Sequence, residues 1–292
     1  CTLRDLQLRF ARMNNPSLHP LTGSCGAEIT GVDLANVNDA DFGVVHTALV
    51  THGVLFFRDQ NITLEQQVDF ARRFGDLEVH PIVDGMEHAP EITKVWKPKG
   101  QSASFGTGWH SDNTFQTNPS MGSMLYGKTI PPFGGDTVFA NQQVAYERLP
   151  DAMKEKLDGL FAIHSASDAY TVEGTKEKFD KKTPITYTWD DSILEEVRHP
   201  VVRTHPETGK KALFVNDMFT LRIDEMTESE SRALLETIYQ HCTKPEFCCR
   251  FRWSENAVAL WDNRLVQHYA VDDYQDYDRL MYRVTIEGDR PQ

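Results

Sequence analysis

Long apolar runs are missing from this chain. No stretch of about 18 apolar residues occurs, so no transmembrane helix is expected. The opening residues, Cys1-Thr2-Leu3-Arg4-Asp5, carry no apolar signal-peptide core, and 1–16 reads as a polar N-terminal arm. The expected location is the cytoplasm. Positive charge is also short: 30 Lys and Arg stand against 43 Asp and Glu, a formal net charge of −13. That balance argues against nucleic acid or an anionic membrane as a partner. It leaves room for a small anionic substrate, because a site can be basic inside an acidic surface. Cysteine is scarce and badly spaced for chelation. Cys1, Cys25, Cys242, Cys248 and Cys249 are odd in number and match no zinc motif. On a strand, adjacent Cys248 and Cys249 point to opposite faces and cannot share one ion. Free thiols in a reducing compartment are expected.

No repeat, low-complexity tract or linker breaks the chain. Its 292 residues, 40% hydrophobic and 25% charged, suit an ordinary globular core. The expectation is a single domain over 17–292. The longest polar stretch, 168–195, carries Gly174, Lys176, Lys178, Lys181 and Lys182 and reads as an inserted lid. Val54-Leu55-Phe56-Phe57 is a buried strand. Thr63-Leu64-Glu65-Gln66 is a capping box opening a helix through about Phe74, with Val68, Phe70, Ala71 and Phe74 inward. Thr227-Glu228-Ser229-Glu230 opens a second helix to about Cys242, with Leu234, Leu235 and Ile238 inward. Strands are expected at 122–126, 200–203, 212–215, 247–253, 257–261 and 280–286. Pro206 and Gly209 make His205–Lys210 a hairpin turn. This mainly β pattern with flanking helices suggests a jelly-roll barrel.

Trp109-His110-Ser111-Asp112 contains His-x-Asp. On an extended strand, residues i and i+2 face one side, so the imidazole and the carboxylate converge. His268, in Asp262-Asn263-Arg264-Leu265-Val266-Gln267-His268, follows a buried strand and is the best third ligand. Two histidines and one carboxylate form the triad of non-haem iron(II) oxygenases, which leaves open positions for a 2-oxo acid and oxygen. The dyad alone is weak, and other histidines compete. His46 and His241 fall in expected helices and read as packing or surface residues, while His199 and His205 border a turn and read as structural.

Arg279, Met281, Arg283 and Thr285 share one face of the last strand. Two arginines on an inward face need partners, since a lone buried charge is costly. A guanidinium suits a carboxylate or sulfonate. Acidic neighbours such as Asp273, Asp276 or Asp278 are the alternative partners. Gly134-Gly135-Asp136-Thr137 is a turn into a strand, from which Thr137 can offer a hydroxyl to an anion.

In order and spacing these pieces resemble the taurine dioxygenase and 2,4-dichlorophenoxyacetate dioxygenase family of iron(II)/2-oxoglutarate enzymes. The likeness spans about 17–291. It includes Leu21-Thr22-Gly23, Gly26-Ala27-Glu28-Ile29, His110-Ser111-Asp112, Gly134–Thr137, His199-Pro200, Arg203-Thr204-His205-Pro206, Phe214-Val215-Asn216 and Trp261–His268. The resemblance implies a double-stranded β-helix core and Fe(II) held by His110, Asp112 and His268. It implies 2-oxoglutarate held by Arg279 and Thr137, O2 as second co-substrate, and a homodimer or homotetramer. His80 and Arg283 fall where the taurine enzymes contact substrate, and Tyr170 is a further candidate for the pocket wall. Two positions depart. The taurine enzymes carry a tyrosine where this chain has Val83 and an asparagine where it has Gly106. Both changes remove polar contacts. The expected substrate is therefore another small organic anion: a sulfonate, an alkyl sulfate, or an aryloxy- or alkyl carboxylate. Its hydroxylation yields succinate and CO2, and the hydroxylated product can fragment. Two rivals share the triad: a zinc hydrolase, which needs no dicarboxylate clamp, and a silent binder of 2-oxoglutarate or a small anion.

Overall fold

The computed structural model describes residues 15–81, 83–100, 106–169 and 191–292. Most of the expected arm, 170–190 of the expected lid, and Tyr170 with them lie outside the described residues. Val54–Phe57 shows how the layers form. Alternate side chains of this strand bury on opposite faces. Leu55 and Phe57 pack with Val45 and Leu49 of helix Asp39–His52 and with Val68 and Phe70 of helix Leu64–Ala71. Val54 and Phe56 pack the other way, with Phe139, Phe251 and Trp261. One sheet thus carries helices outside and a β-sandwich core inside.

That main sheet has nine strands. Their order is Ser17–Pro20, Ala27–Thr30, Val54–Phe57, Val258–Asp262, Gly122–Thr129, Arg279–Ile286, Ala89–Lys97 and Gly85–Met86, with Leu77–Glu78 also pairing Arg279–Ile286. The facing sheet is Cys248–Phe251, Thr137–Asn141 and Val266–Ala270. Both sheets contribute to the inner cluster, and all but one pairing shown here is antiparallel. The result is a jelly roll, as the strand pattern and turns suggest. A further layer packs helices Gln142–Glu147 and Glu228–Cys242 against Phe161–His164, Lys211–Leu213 and Thr220–Ile223.

Both capping boxes form, with the threonine side chain accepting from the third helical N–H and the Gln66 or Glu230 side chain answering at the cap. The first helix stops at Ala71 rather than Phe74, because Arg73 and Phe74 tighten to i→i−3 bonds with Phe70 and Ala71. The expected strand 200–203 divides at Val201, whose N–H donates to Leu160 and whose carbonyl accepts from Phe214 as the chain changes sheets. Phe247 ends a 3-10 turn begun by Pro245, so the strand there is shorter, Cys248–Phe251. The hairpin at 205–210 is present, closed by His205 N–H donating to Lys210 at 2.8 Å. Among the described residues no helix is long and apolar enough to cross a membrane.

Candidate active site

His268 stands on strand Val266–Ala270, where its Cα partner is Phe139. His110 does not sit on a strand. A single antiparallel bridge ties it to His268, with His110 N–H donating at 3.1 Å and His268 N–H at 2.8 Å. The chain then turns, and Asn113 takes a left-handed φ of 54°. The expected period-two geometry is thus replaced by one bridge and a turn, yet the side chains still converge. His110 Nε2 and His268 Nε2 lie 3.7 and 3.8 Å from Asp112 Oδ1. The three ligand atoms are mutually within 4.8 Å, and all three residues are buried.

Neighbours fix the carboxylate of this group by one of its two oxygens. Asp112 Oδ2 accepts from Ser123 Oγ at 2.8 Å, Asn263 Nδ2 at 3.1 Å and Trp261 Nε1 at 3.2 Å. Asn263 Oδ1 in turn accepts from the Asp112 N–H and from Trp261 Nε1. Only Oδ1 is turned towards the histidines. His110 Nδ1 lies 2.9 Å from the Gly108 carbonyl, which puts the proton on Nδ1 and the lone pair on Nε2. His268 is set by ring contacts with Phe139 and Trp261, and its Nδ1 has no hydrogen bond among the described residues.

Burial and charge prepare the same donors. Burial pushes the Asp112 carboxyl upward, but Arg283, the two imidazoles and Ser123 outweigh it and hold it well below the usual carboxylate range. Burial lowers His110 and, helped by His110, lowers His268 to about 3. At neutral pH the set is one carboxylate and two neutral imidazoles, the protonation state a divalent cation requires. The donor set fits iron(II) or another first-row divalent ion.

Arg283 lies on the central strand Arg279–Ile286. It pairs with none of the acidic residues near Asp273. Its Nη2 is 2.8 Å from Asp112 Oδ1, the oxygen turned towards the histidines, while its Nε has no hydrogen bond among the described residues. Arg279 is buried two face-repeats away, makes no ion pair among the described residues, and leaves its Nε without a hydrogen bond. Burial lowers its pKa, against support from Tyr274. Its guanidinium carbon is 5.6 Å from the Tyr274 ring and 5.9 Å from the Trp253 ring. Trp253 Nε1 donates to Thr137 Oγ1 at 3.0 Å, so Thr137 and Arg279 border the same indole. His80 is buried, and its Nδ1 accepts from the Val83 N–H at 3.0 Å. Burial, then Arg283, lowers it to about 3.

An apolar wall adjoins the triad. The Phe219 ring meets the His110 ring edge-on at 6.0 Å and packs with Phe115, Ala166 and Met218. Gly106 lies against the imidazole too: a Cβ there would be 3.4 Å from His110 Cε1.

The other named histidines are placed as structural. His205 Nε2 donates to Asp262 Oδ2 at 3.1 Å, and His199 Nε2 donates to the Gln116 carbonyl at 2.9 Å. Reasoning from sequence missed Ser123, which sits unmarked in an apolar strand. It also missed the work of Trp261 and Asn263, although their run stood out as a motif.

A family model described as "Taurine catabolism dioxygenase TauD, TfdA family" matches residues 17–285. The chain is 38% identical to an alkylsulfatase of Acinetobacter baylyi over 281 residues, 93% of this chain and 85% of that one. It is 36% identical to an alpha-ketoglutarate-dependent sulfate ester dioxygenase of Pseudomonas putida, over 94% and 90% of the two chains. The crystal structure of a taurine dioxygenase from Burkholderia xenovorans matches with a TM-score of 0.80 at 36% identity, again over 94% and 90%.

Proposed function

The chain belongs to the taurine catabolism dioxygenase TauD, TfdA family, and we propose that its substrate is the sulfate monoester of an apolar alcohol. It is an iron(II)- and 2-oxoglutarate-dependent dioxygenase. The observation that carries the reading is a buried triad of two histidines and one carboxylate, with a buried arginine on the neighbouring strand that makes no ion pair among the described residues.

In this reading His110 Nε2, His268 Nε2 and Asp112 Oδ1 hold the iron. Bound iron(II) supplies the activation of O2, coupled to decarboxylation of 2-oxoglutarate to succinate and CO2. Arg279 meets the distal carboxylate of 2-oxoglutarate in a charge-assisted pair, and Thr137 assists from the other side of Trp253. His80, whose Nδ1 accepts from the Val83 N–H, lines the head-group end of the pocket close to Arg283. Arg283 supplies the charge for that head group. Phe115, Phe219 and Met218 take the organic part and keep water from the oxidised carbon. One oxygen atom enters succinate and the other enters the substrate as a hydroxyl. On the carbon bearing the ester oxygen, that hydroxyl makes an unstable adduct, which collapses to an aldehyde with release of sulfate and a proton.

Val83 and Gly106 favour an apolar alcohol over taurine, because neither side chain can meet an ammonium group. The test is succinate release by anaerobically purified protein given iron(II), 2-oxoglutarate and oxygen. A medium-chain alkyl sulfate should stimulate release most, ahead of organosulfonates and aryloxyalkanoates. Taurine as the best substrate would overturn the assignment. The reading extends to a cytoplasmic homodimer or homotetramer, checked by light scattering of the eluted protein.

A further inference from the structure

Asp112 Oδ1 has two claimants. It is the oxygen turned towards both Nε2 atoms, and it is also the oxygen that Arg283 Nη2 grips at 2.8 Å. The other carboxylate oxygen is fully engaged by Ser123, Asn263 and Trp261. A cation entering the triad therefore has to take the oxygen that the guanidinium holds.

The donors also stand wide. Two donors about 2.1 Å from one ion at right angles lie about 3 Å apart. Here they are 3.7 and 3.8 Å from Oδ1. Arg283 contacts that same oxygen at 2.8 Å. Closing the set on a dication would bring a second positive centre close to the guanidinium in a site shut off from water, where like charges repel strongly. The guanidinium cannot simply be abandoned either. Its residue is buried, its Nε already lacks a partner among the described residues, and Ser123 Oγ at 3.4 Å is a poor substitute for a carboxylate. The nearby carboxylate of Glu78 is committed to Ser120 and Asn113.

We propose that Arg283 is the internal counter-ion of the metal-free site. It passes from Asp112 to the anionic group of the substrate when a divalent cation binds, so cation and anion reinforce each other's binding. The proposal rests on the reading of His110, Asp112 and His268 as the metal ligands. It adds that the arginine guards the carboxylate before it serves the anion. Coupling of this kind is reciprocal: whatever factor the anion adds to cation affinity, the cation adds to anion affinity.

The test uses Mn(II) and inorganic sulfate as probes, with no turnover. Mn(II) is titrated into the metal-free protein with sulfate or with chloride at matched ionic strength. Sulfate should tighten Mn(II) on the order of tenfold in the wild type. In Arg283→Gln, Mn(II) should bind at least as tightly without sulfate, and sulfate should add nothing. A wild type indifferent to sulfate, or a sulfate effect that persists in Arg283→Gln, would overturn the proposal. Persistence would mean that sulfate binds the ion itself.

Thermal unfolding gives a second readout. Without metal, Arg283→Gln strands a buried carboxylate and should melt on the order of 5 °C or more below the wild type. Saturating Mn(II) should close most of that gap. A gap that Mn(II) leaves unchanged would mean that the pair persists with metal bound, and the exchange fails. If the wild type takes up no Mn(II) at all, the metal reading itself falls and the proposal with it. Metal uptake without coupling removes only the exchange.

Discussion

Asp112 and Asp262 are both buried, both beside an arginine and histidine, and both held well below the usual carboxylate range against the upward push of burial. They differ in what remains free. Around Asp262 both oxygens are taken. Arg264 donates from its backbone and Nε to Oδ1 at 2.9 and 2.8 Å and from Nη2 to Oδ2 at 2.6 Å, and His205 adds a bond to Oδ2 at 3.1 Å. Around Asp112 the histidines stand at 3.7 and 3.8 Å, beyond hydrogen-bond reach, and His110 aims a lone pair rather than a proton. The first centre is closed and structural; in the second no histidine bonds Oδ1, which is left to Arg283 at 2.8 Å. The same residue types make a rivet or a receptor, depending on whether the histidine reaches the carboxylate.

The contrast predicts different losses. Asp112→Ala should abolish metal uptake and succinate formation together, because the triad has no other carboxylate; normal turnover without added carboxylate would sink the assignment. Asp262→Asn should leave Mn(II) uptake in place yet cost about 3–5 kcal/mol of stability, because Arg264 and His205 lose their shared partner. An unchanged denaturation midpoint would erase the distinction between the centres. Arg279→Ala should raise the Michaelis constant for 2-oxoglutarate on the order of 10–100-fold, the value of one charged pair. If that constant does not move, another group holds the distal carboxylate.

Acid should act more gradually. His199 is lowered to about 4, chiefly by burial. As pH falls below about 6.5, the unfolded chain takes up the proton first, so stability is full above that value and declines towards about 4. His199→Gln should make the decline shallower in urea midpoints taken across that range; an identical slope would place the effect elsewhere. The smallest effect belongs to an exposed pair. Arg222 reaches Glu196 through two bonds of 2.7 and 2.6 Å, but Arg222→Ala should cost less than about 1 kcal/mol because water screens it.

Much of the Asp112 centre was legible in the sequence because its chemistry is rare: His110 with Asp112, His268 after a buried strand, and two arginines four apart on one strand face. The jelly roll followed from strand patterning and turns, and the family resemblance ordered the parts. The geometry of the dyad was not legible, since one bridge to His268 replaces strand periodicity. Ser123 carries no signature in an apolar strand. The Arg283–Asp112 contact joins residues far apart in the chain, and no local pattern encodes it. Val201 and Phe247 show the same limit for elements. Their strands break where distant carbonyls and a proline-led turn take over the backbone.

The hydrogen bond from Ser111 to the Val266 carbonyl spans 155 residues, and it links the two stretches that carry the histidines. The strand Arg279–Ile286, latest of the described strands in the chain, inserts between Gly122–Thr129 and Ala89–Lys97 and brings both arginines with it. Such long-range pairing is slow to form. Arg283 therefore reaches Asp112 only once this strand has slotted between its two neighbours in the sheet.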